Sequence, residues 1–396
     1  MLSLSKHEGR EIGLDKSSQK PATIAAQGLG WIDEATRAVS PPLHASSTHI
    51  RDPDNQYRSG RDYIRADNPA FDQPEAVLAA LEGGTGAMLY SSGMAAVTAV
   101  FLALKPGDHV VAPAVMYWGL RNWLKTYATE WGLQVELVEM SDLAAVKAAI
   151  RKGETKLVWV ESPSNPLWGI TDLAAVAEIA HAAGARVAAD STVATPVLTR
   201  PLELGVDLVM HSATKYLNGH SDLIAGALVT RMDDEFWRRL KMLRAQMGAT
   251  LGSFESWLLL RGMRTLYPRV KASCANAMGL AERLSANTHV AHVLYPGLKT
   301  FAGHTIAARQ MQGGFGGMLS IRVKGGEAAA IATAANVHIW KRATSLGGTE
   351  SLIEHRASVE GPSSPCPPDL LRLSAGIEDT DDLIRDLEAV LALAHR

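Results

Sequence analysis

Apolar residues between positions 73 and 230 fall in short runs separated by turn residues. Examples are His109-Val-Val-Ala-Pro113, Lys156-Leu-Val-Trp-Val160, Arg186-Val-Ala-Ala-Asp190, Asp207-Leu-Val-Met210 and Ala225-Gly-Ala-Leu-Val-Thr230. Short, continuous apolar runs of this kind predict strands buried on both faces. Helical spacing lies between them: Gln73 to Glu82, halted by Gly83-Gly84, and the Ala-rich stretch from Asp172 to Gly184. Strands alternating with helices predict an α/β fold with a mostly parallel sheet covered on both faces. Ligands of such sheets sit beyond the carboxyl ends of the strands. Glu161, Asp190 and Lys215 all fall at such ends and are expected to converge on one pocket.

From about 232 the pattern turns helical, through Asp233–Leu243 and Phe254–Arg261. The remainder mixes helices with strands such as Gly317–Val323 and closes with a helix from about Asp379. These shifts predict an N-terminal arm (1–60), a large domain (61–250) and a smaller α+β C-terminal domain (251–396). Residues 22–72 carry little regular pattern, yet Tyr57 to Pro69 reads as an ordered arm, since long loops in compact proteins are usually functional or disordered. Residues 1–20 are polar and expected to be mobile.

Composition narrows the function classes. Hydrophobic residues make up 47% and charged residues 20%, as in ordinary soluble proteins. The net charge of −2 supplies no basic field for nucleic acid. Cys274 and Cys366 lie far apart without metal-ligand spacing, which argues against a disulfide framework or a metal site and suits a cytoplasmic location. No apolar run of about 18 residues predicts a membrane span, and the first residues lack the apolar core of a signal peptide.

Lys215 ends the apolar run Asp207–Met210 after His211, Ser212 and Thr214. A lysine at a buried strand end either snorkels to solvent or holds an aldehyde cofactor as a Schiff base. Asp190 is a candidate partner for a protonated pyridine nitrogen. Ser92-Gly93-Met94 opens a helix and offers an anion site, with the hydroxyls of Ser212 and Thr214 beside it. Asn165, held before Pro166, can donate to a carboxylate. Tyr117 supplies a flat ring and a phenol. Arg372, in an apolar run, suits a fork-shaped anion. Each has a bland alternative taken alone: a turn or cap, a core aromatic, a structural ion pair.

Seven ordered motifs remove that ambiguity. They are Tyr63-x-Arg65-x-x-Asn68-Pro69, Ser92-Gly93-Met94, Glu161-Ser-Pro-Ser-Asn165-Pro166, Asp190-Ser-Thr, Ser212-Ala-Thr-Lys215-Tyr-Leu-x-Gly-His-Ser-Asp222, Ser345-Leu-Gly-Gly-x-Glu-Ser-Leu-Ile-Glu-His355 and Arg372-Leu-Ser-x-Gly-Ile-Glu-Asp379. From about residue 40 to the C-terminus the chain resembles the Cys/Met-metabolism family of pyridoxal-phosphate (PLP) enzymes, the trans-sulfuration group. The resemblance implies the aspartate-aminotransferase-like fold type I. It implies Lys215 as the cofactor's lysine and proton shuttle, Asp190 at the pyridine nitrogen and Tyr117 stacked on the ring. Ser92, Gly93, Met94, Ser212 and Thr214 would hold the phosphate, with Tyr63 and Arg65 reaching that of a neighbouring subunit in a homo-oligomer, typically a dimer of dimers. Arg372, Asn165 and the Ser345 region would hold the substrate α-carboxylate.

The implied reaction is elimination or replacement at the γ or β carbon of an amino acid, with a homoserine-, cystathionine- or methionine-like substrate favoured. Alternatives are a cystathionine β-lyase-type C–S lyase, a γ-lyase for an oxygen-linked substrate, an aminotransferase, and a catalytically silent cofactor-binding protein. Three places depart from the family's usual pattern. Trp118 and Arg121 follow the tyrosine and are expected to reshape the leaving-group wall. Thr344 precedes Ser345 where Glu or Tyr is usual, and is expected to bear on substrate choice. Arg356 follows Glu354-His355 where Pro is usual.

Overall fold

The computed structural model describes residues 19–361 and 364–396. The expected mobile tail and the start of the arm fall on residues 1–18, outside the described ones. Seven strands, β1 (Gly86–Tyr90), β2 (His109–Pro113), β3 (Gln134–Val138), β4 (Thr155–Glu161), β5 (Arg186–Asp190), β6 (Leu208–His211) and β7 (Gly226–Thr230), form one sheet. Their order is β1-β7-β6-β5-β4-β2-β3. β2 to β6 run parallel, and β7 is antiparallel to both neighbours.

Two cores explain why the strands read as unbroken apolar runs. Val158 and Val160 face one core, with the helices Pro69–Glu82 and Leu173–Ala182. Leu157 and Trp159 face the other, with the helix Gly93–Leu102. Alternate side chains of each strand go to opposite faces, and both faces are covered, so no polar alternation remains.

The expected runs at 109–113 and 186–190 coincide with β2 and β5. The helix expected from Gln73 begins earlier, at Pro69. Asn68 caps it by accepting from the Ala70 N–H at 3.0 Å, and Pro69 takes the first helical position, where a missing N–H costs nothing. Pro74 inside the helix hides that first turn from a reading of periodicity.

The second sheet contains β8 (Val290–Leu294), β9 (Met318–Val323), β10 (Lys341–Arg342), β11 (Leu352–His355) and β12 (Leu370–Ser374), in the order β10-β11-β12-β9-β8. Its pairs are antiparallel except β10 with β11. The helices Leu266–Ser285, Gly326–Ala335 and Thr380–Leu393 pack on it around a third core. The helix Ser253–Met263, just past the expected domain change, packs against Pro69–Glu82 of the large layer. The layers are pinned together where Trp168 Nε1 donates to Ser320 Oγ at 2.9 Å and that hydroxyl donates to the Pro166 carbonyl at 2.9 Å. This joint sets the loop after β4 against the second sheet, facing the site.

Candidate active site

Ten of the residues singled out by sequence line one cavity of about 260 Å³: Ser92, Gly93, Met94, Tyr117, Glu161, Asn165, Asp190, Ser212, Thr214 and Lys215. Each reaches it from the carboxyl end of a strand, the loop beyond it or the first turn of the helix that follows. Lys215 follows β6, Asp190 ends β5, Asn165 follows β4 and Tyr117 follows β2. This is the crevice where open α/β sheets hold ligands.

Lys215 Nζ donates to Ser345 Oγ at 2.7 Å. Burial, reinforced by the charges of Arg372 and Arg356 and opposed by Glu354, brings its amine down to about 8. Lowering the amine in this way raises the share of the neutral form, which is the one that condenses with an aldehyde.

Ser92 caps the helix Gly93–Leu102, accepting from Ala95 N–H at 3.0 Å. A side chain at Gly93 would meet Ser212 Oγ at 2.8 Å, and one at Gly226 would meet the Ser92 carbonyl at 2.1 Å. The cradle therefore exists because two glycines leave it open. The Ser212 N–H donates to Thr192 Oγ1 at 2.8 Å, and Thr214 exchanges bonds with the backbone of Ala225 at 3.0 and 3.1 Å. A helix N-terminus with free N–H groups, ringed by hydroxyls, fits a phosphate.

Asp190 accepts from the Thr192 N–H at 2.9 Å. Burial raises its carboxyl above the ordinary range. Its register partner on β4 is Glu161, whose carboxyl is raised by burial and by the facing Asp190 charge. A buried, acidic strand end of this kind fits a protonated pyridine nitrogen, which would relieve it. The residues present fit pyridoxal phosphate: Ser92–Met94 could take its phosphate, Asp190 its nitrogen and Lys215 its aldehyde.

Arg372 is buried behind Asn165 and Ser345 and is not among the residues lining the cavity. Its Nη2 donates to the Ser345 carbonyl at 2.8 Å and its Nη1 to Asn165 Oδ1 at 3.3 Å. Burial, then the neighbouring Arg356, bring its guanidinium down to about 10, still a full cation at neutral pH.

Other expected residues stand elsewhere. Thr344 is exposed and lines a separate depression with Arg342, Ala343 and Glu354. Ser345 adopts a φ of 84°, and the turn it makes sends Ser345 and Leu346 to the site and leaves Thr344 outside. Arg121 Nε donates to the Ala114 carbonyl at 3.1 Å, so its guanidinium braces backbone and is not among the residues lining the cavity. Trp118 packs near Tyr117, with ring centroids 6.3 Å apart, but does not line the cavity either. Tyr63 and Arg65 lie exposed on the arm, the Arg65 guanidinium 5.4 Å from the Tyr63 ring.

Glu161 lines the cavity as expected from its strand end, and the structure adds Thr192 to the wall. Glu161 accepts from the Tyr117 N–H at 2.9 Å and from the Asn165 N–H at 2.8 Å. Sequence marks it as a strand-end acid, but its two backbone partners lie 44 and 4 residues away and only the fold joins them.

Comparison with known proteins agrees with this geometry. The family model described as Cys/Met metabolism PLP-dependent enzyme matches residues 22–392. Cystathionine gamma-synthase of Mycobacterium tuberculosis is 46% identical over 377 residues, covering 94% of this chain and 96% of that one. Cystathionine beta-lyase of Lactococcus lactis is 41% identical over 367 residues, covering 91% and 95%. The crystal structure of cystathionine gamma synthase from Xanthomonas oryzae in complex with aminoacrylate and cysteine has a TM-score of 0.91 and 40% identity, covering 95% and 99%. With motif order, fold and cavity in agreement over nearly the whole chain, the protein belongs to the Cys/Met-metabolism family of PLP-dependent enzymes.

Proposed function

We propose that the protein catalyses elimination or replacement at the γ carbon of an amino acid, on a homoserine-, cystathionine- or methionine-like substrate. The observation that carries this reading is the placement of Lys215 Nζ, 2.7 Å from Ser345 Oγ, in a cavity that also holds Asp190 and abuts Arg372. The identity with cystathionine gamma-synthase of M. tuberculosis favours γ chemistry; that with the L. lactis beta-lyase keeps β cleavage as the second reading.

Pyridoxal phosphate, when bound, supplies an electron sink for the pair left when the substrate's Cα–H bond breaks. Ser92, Gly93, Met94, Ser212 and Thr214 would hold its phosphate, and Asp190 its nitrogen. Arg372, with Asn165 and Ser345, would orient the substrate α-carboxylate by a forked, charge-assisted pair. Lys215 Nζ would take the Cα proton and carry protons onward, within reach of Ser345 Oγ. Burial raises the Tyr117 phenol, against the pull of Arg356 and Arg372. It therefore stays protonated at neutral pH and is suited to protonate a leaving group.

Tyr63 and Arg65, exposed on the arm, would complete the phosphate site of a neighbouring subunit in a homotetramer. Mixing Lys215→Ala with Arg65→Ala subunits should then restore activity that neither has alone. The two buried free thiols support a cytoplasmic setting. No helix among the described residues is long and apolar enough to cross a membrane.

The test is an assay of the pure protein with cystathionine, with O-acylhomoserine plus cysteine, and with methionine. It follows keto-acid release and thioether formation, with Lys215→Ala as control. If none of these substrates yields either product, the γ assignment is wrong.

A further inference from the structure

Arg356 opens the short helix Arg356–Glu360 after β11, and its side chain is only 4% exposed. Its Nη1 donates to Glu354 Oε2 at 2.7 Å. The same oxygen stands 2.7 Å from Arg372 Nη2. The other edge of Arg356, Nη2 and Nε, donates to Glu360 Oε1 at 2.6 and 3.1 Å. Four charges therefore alternate in a row of buried groups: Glu360, Arg356, Glu354, Arg372. Glu354 Oε1 is buried without a partner, so the two guanidiniums hold this carboxylate through one shared oxygen.

That sharing matters for Arg372. A guanidinium paired with a carboxylate of its own is neutralised and drawn back from other anions. Here Arg356 takes part of Glu354's charge and is itself anchored from behind by Glu360. Arg372 meets Glu354 and the Ser345 carbonyl through Nη2 alone and keeps positive charge to spare at Nη1, which meets Asn165 Oδ1 at 3.3 Å. Lys215 registers the same field, since both arginines lower its amine.

We infer that Arg356 is a positioning residue for the substrate α-carboxylate: through Glu354 Oε2 it fixes the plane of Arg372 and leaves that guanidinium free to pair with the substrate. The inference rests on the proposed role of Arg372 and extends it to a residue that does not line the cavity.

Calorimetric titration of the cofactor-loaded enzyme with glycine and with glycinamide separates the two. The pair differs only in the carboxylate. Wild type should bind glycine in preference to glycinamide; if it does not, the Arg372 reading fails and this inference with it. The double variant Arg356→Gln/Glu360→Gln removes one charge of each sign, avoiding the stranded carboxylate that a single change would leave. It should bind glycine about tenfold more weakly, with glycinamide affinity unchanged, as expected for a misaligned charge-assisted bond. With substrate, KM should rise and kcat hold. Arg356→Lys, which reaches one carboxylate but cannot fork to both, should show the same split at about threefold and serves if the double variant melts early. Equal losses for both probes, or none in a variant that folds, would overturn the inference.

Discussion

Lys215 Nζ and Ser345 Oγ stand 2.7 Å apart across 130 residues of chain, and Ser345 makes that contact from a backbone φ of 84°. A left-handed φ costs a residue other than glycine about 1 kcal/mol or more. It persists here because its surroundings hold it: the Ser345 carbonyl accepts from Arg372, and the Gly347 N–H donates to Ser374 Oγ at 2.9 Å.

Replacing Ser345 by glycine should separate strain from chemistry. The hydroxyl is lost and the strain relieved, so kcat/KM should fall about tenfold with no drop in melting temperature. Ser345→Ala should lose the same activity while keeping the strain. Full activity in either variant would show that the hydroxyl has no part in the reaction.

Glu161 ties Tyr117 and Asn165 to one carboxylate. In Glu161→Gln one oxygen can still accept, but the amide NH2 faces the other N–H donor. Leaving such a group unsatisfied costs about 1–3 kcal/mol, so the variant should melt at a lower temperature. Because both cavity walls shift, kcat/KM should fall as well. A variant that keeps wild-type stability and rate would show that the two N–H groups find other acceptors.

The large sheet was legible because each of its inner strands is apolar on both faces, and the residues lining the cavity because they sit in compact motifs at strand ends. β3 was not: four of its five residues, Val135 to Val138, are half-buried at the sheet edge and Gln134 is exposed, so the run Gln134-Val-Glu-Leu-Val138 lacks a continuous apolar signature. The helix Leu266–Ser285 was hidden by Pro268 in its first turn and by polar residues such as Arg269 and Asn276 that are buried yet paired. The role of Glu161 and the chain Glu360–Arg356–Glu354–Arg372 depend on contacts between segments that only folding brings together. That Thr344 stands outside the cavity was not legible, because motif position does not reveal that the left-handed Ser345 turns the chain between neighbours.

Gly226 lies at the start of β7 against the helix start at Ser92, where an added methyl would stand 2.1 Å from the Ser92 carbonyl and 2.9 Å from the Ala96 side chain. The first obstacle is backbone, so it cannot rotate away. Gly226→Ala should cost about 1–3 kcal/mol, the range for overpacking. It should also push the helix start at Ser92 outward, which weakens cofactor binding. Equilibrium dialysis against pyridoxal phosphate checks this; unchanged affinity would mean that the helix start absorbs the displacement without disturbing the anion site.

Lys215 should leave a signature in stability against pH. Burial, with Arg372 next in effect, brings its amine from the ordinary 10.5 to about 8. Below pH 8 the lysine is protonated in both the folded and unfolded chain, and the folded state carries the full penalty of a buried cation. Between pH 8 and 10.5 the unfolded chain keeps the proton and the folded chain has lost it, so stability rises with pH across that window. In the cofactor-free protein, wild type should therefore gain melting temperature relative to Lys215→Met as pH rises through this range. The penalty should be largest below it. A difference that stays flat from pH 7 to 10 would show that the amine titrates alike in both states, and that its burial does not prepare it, as a neutral amine, for the aldehyde.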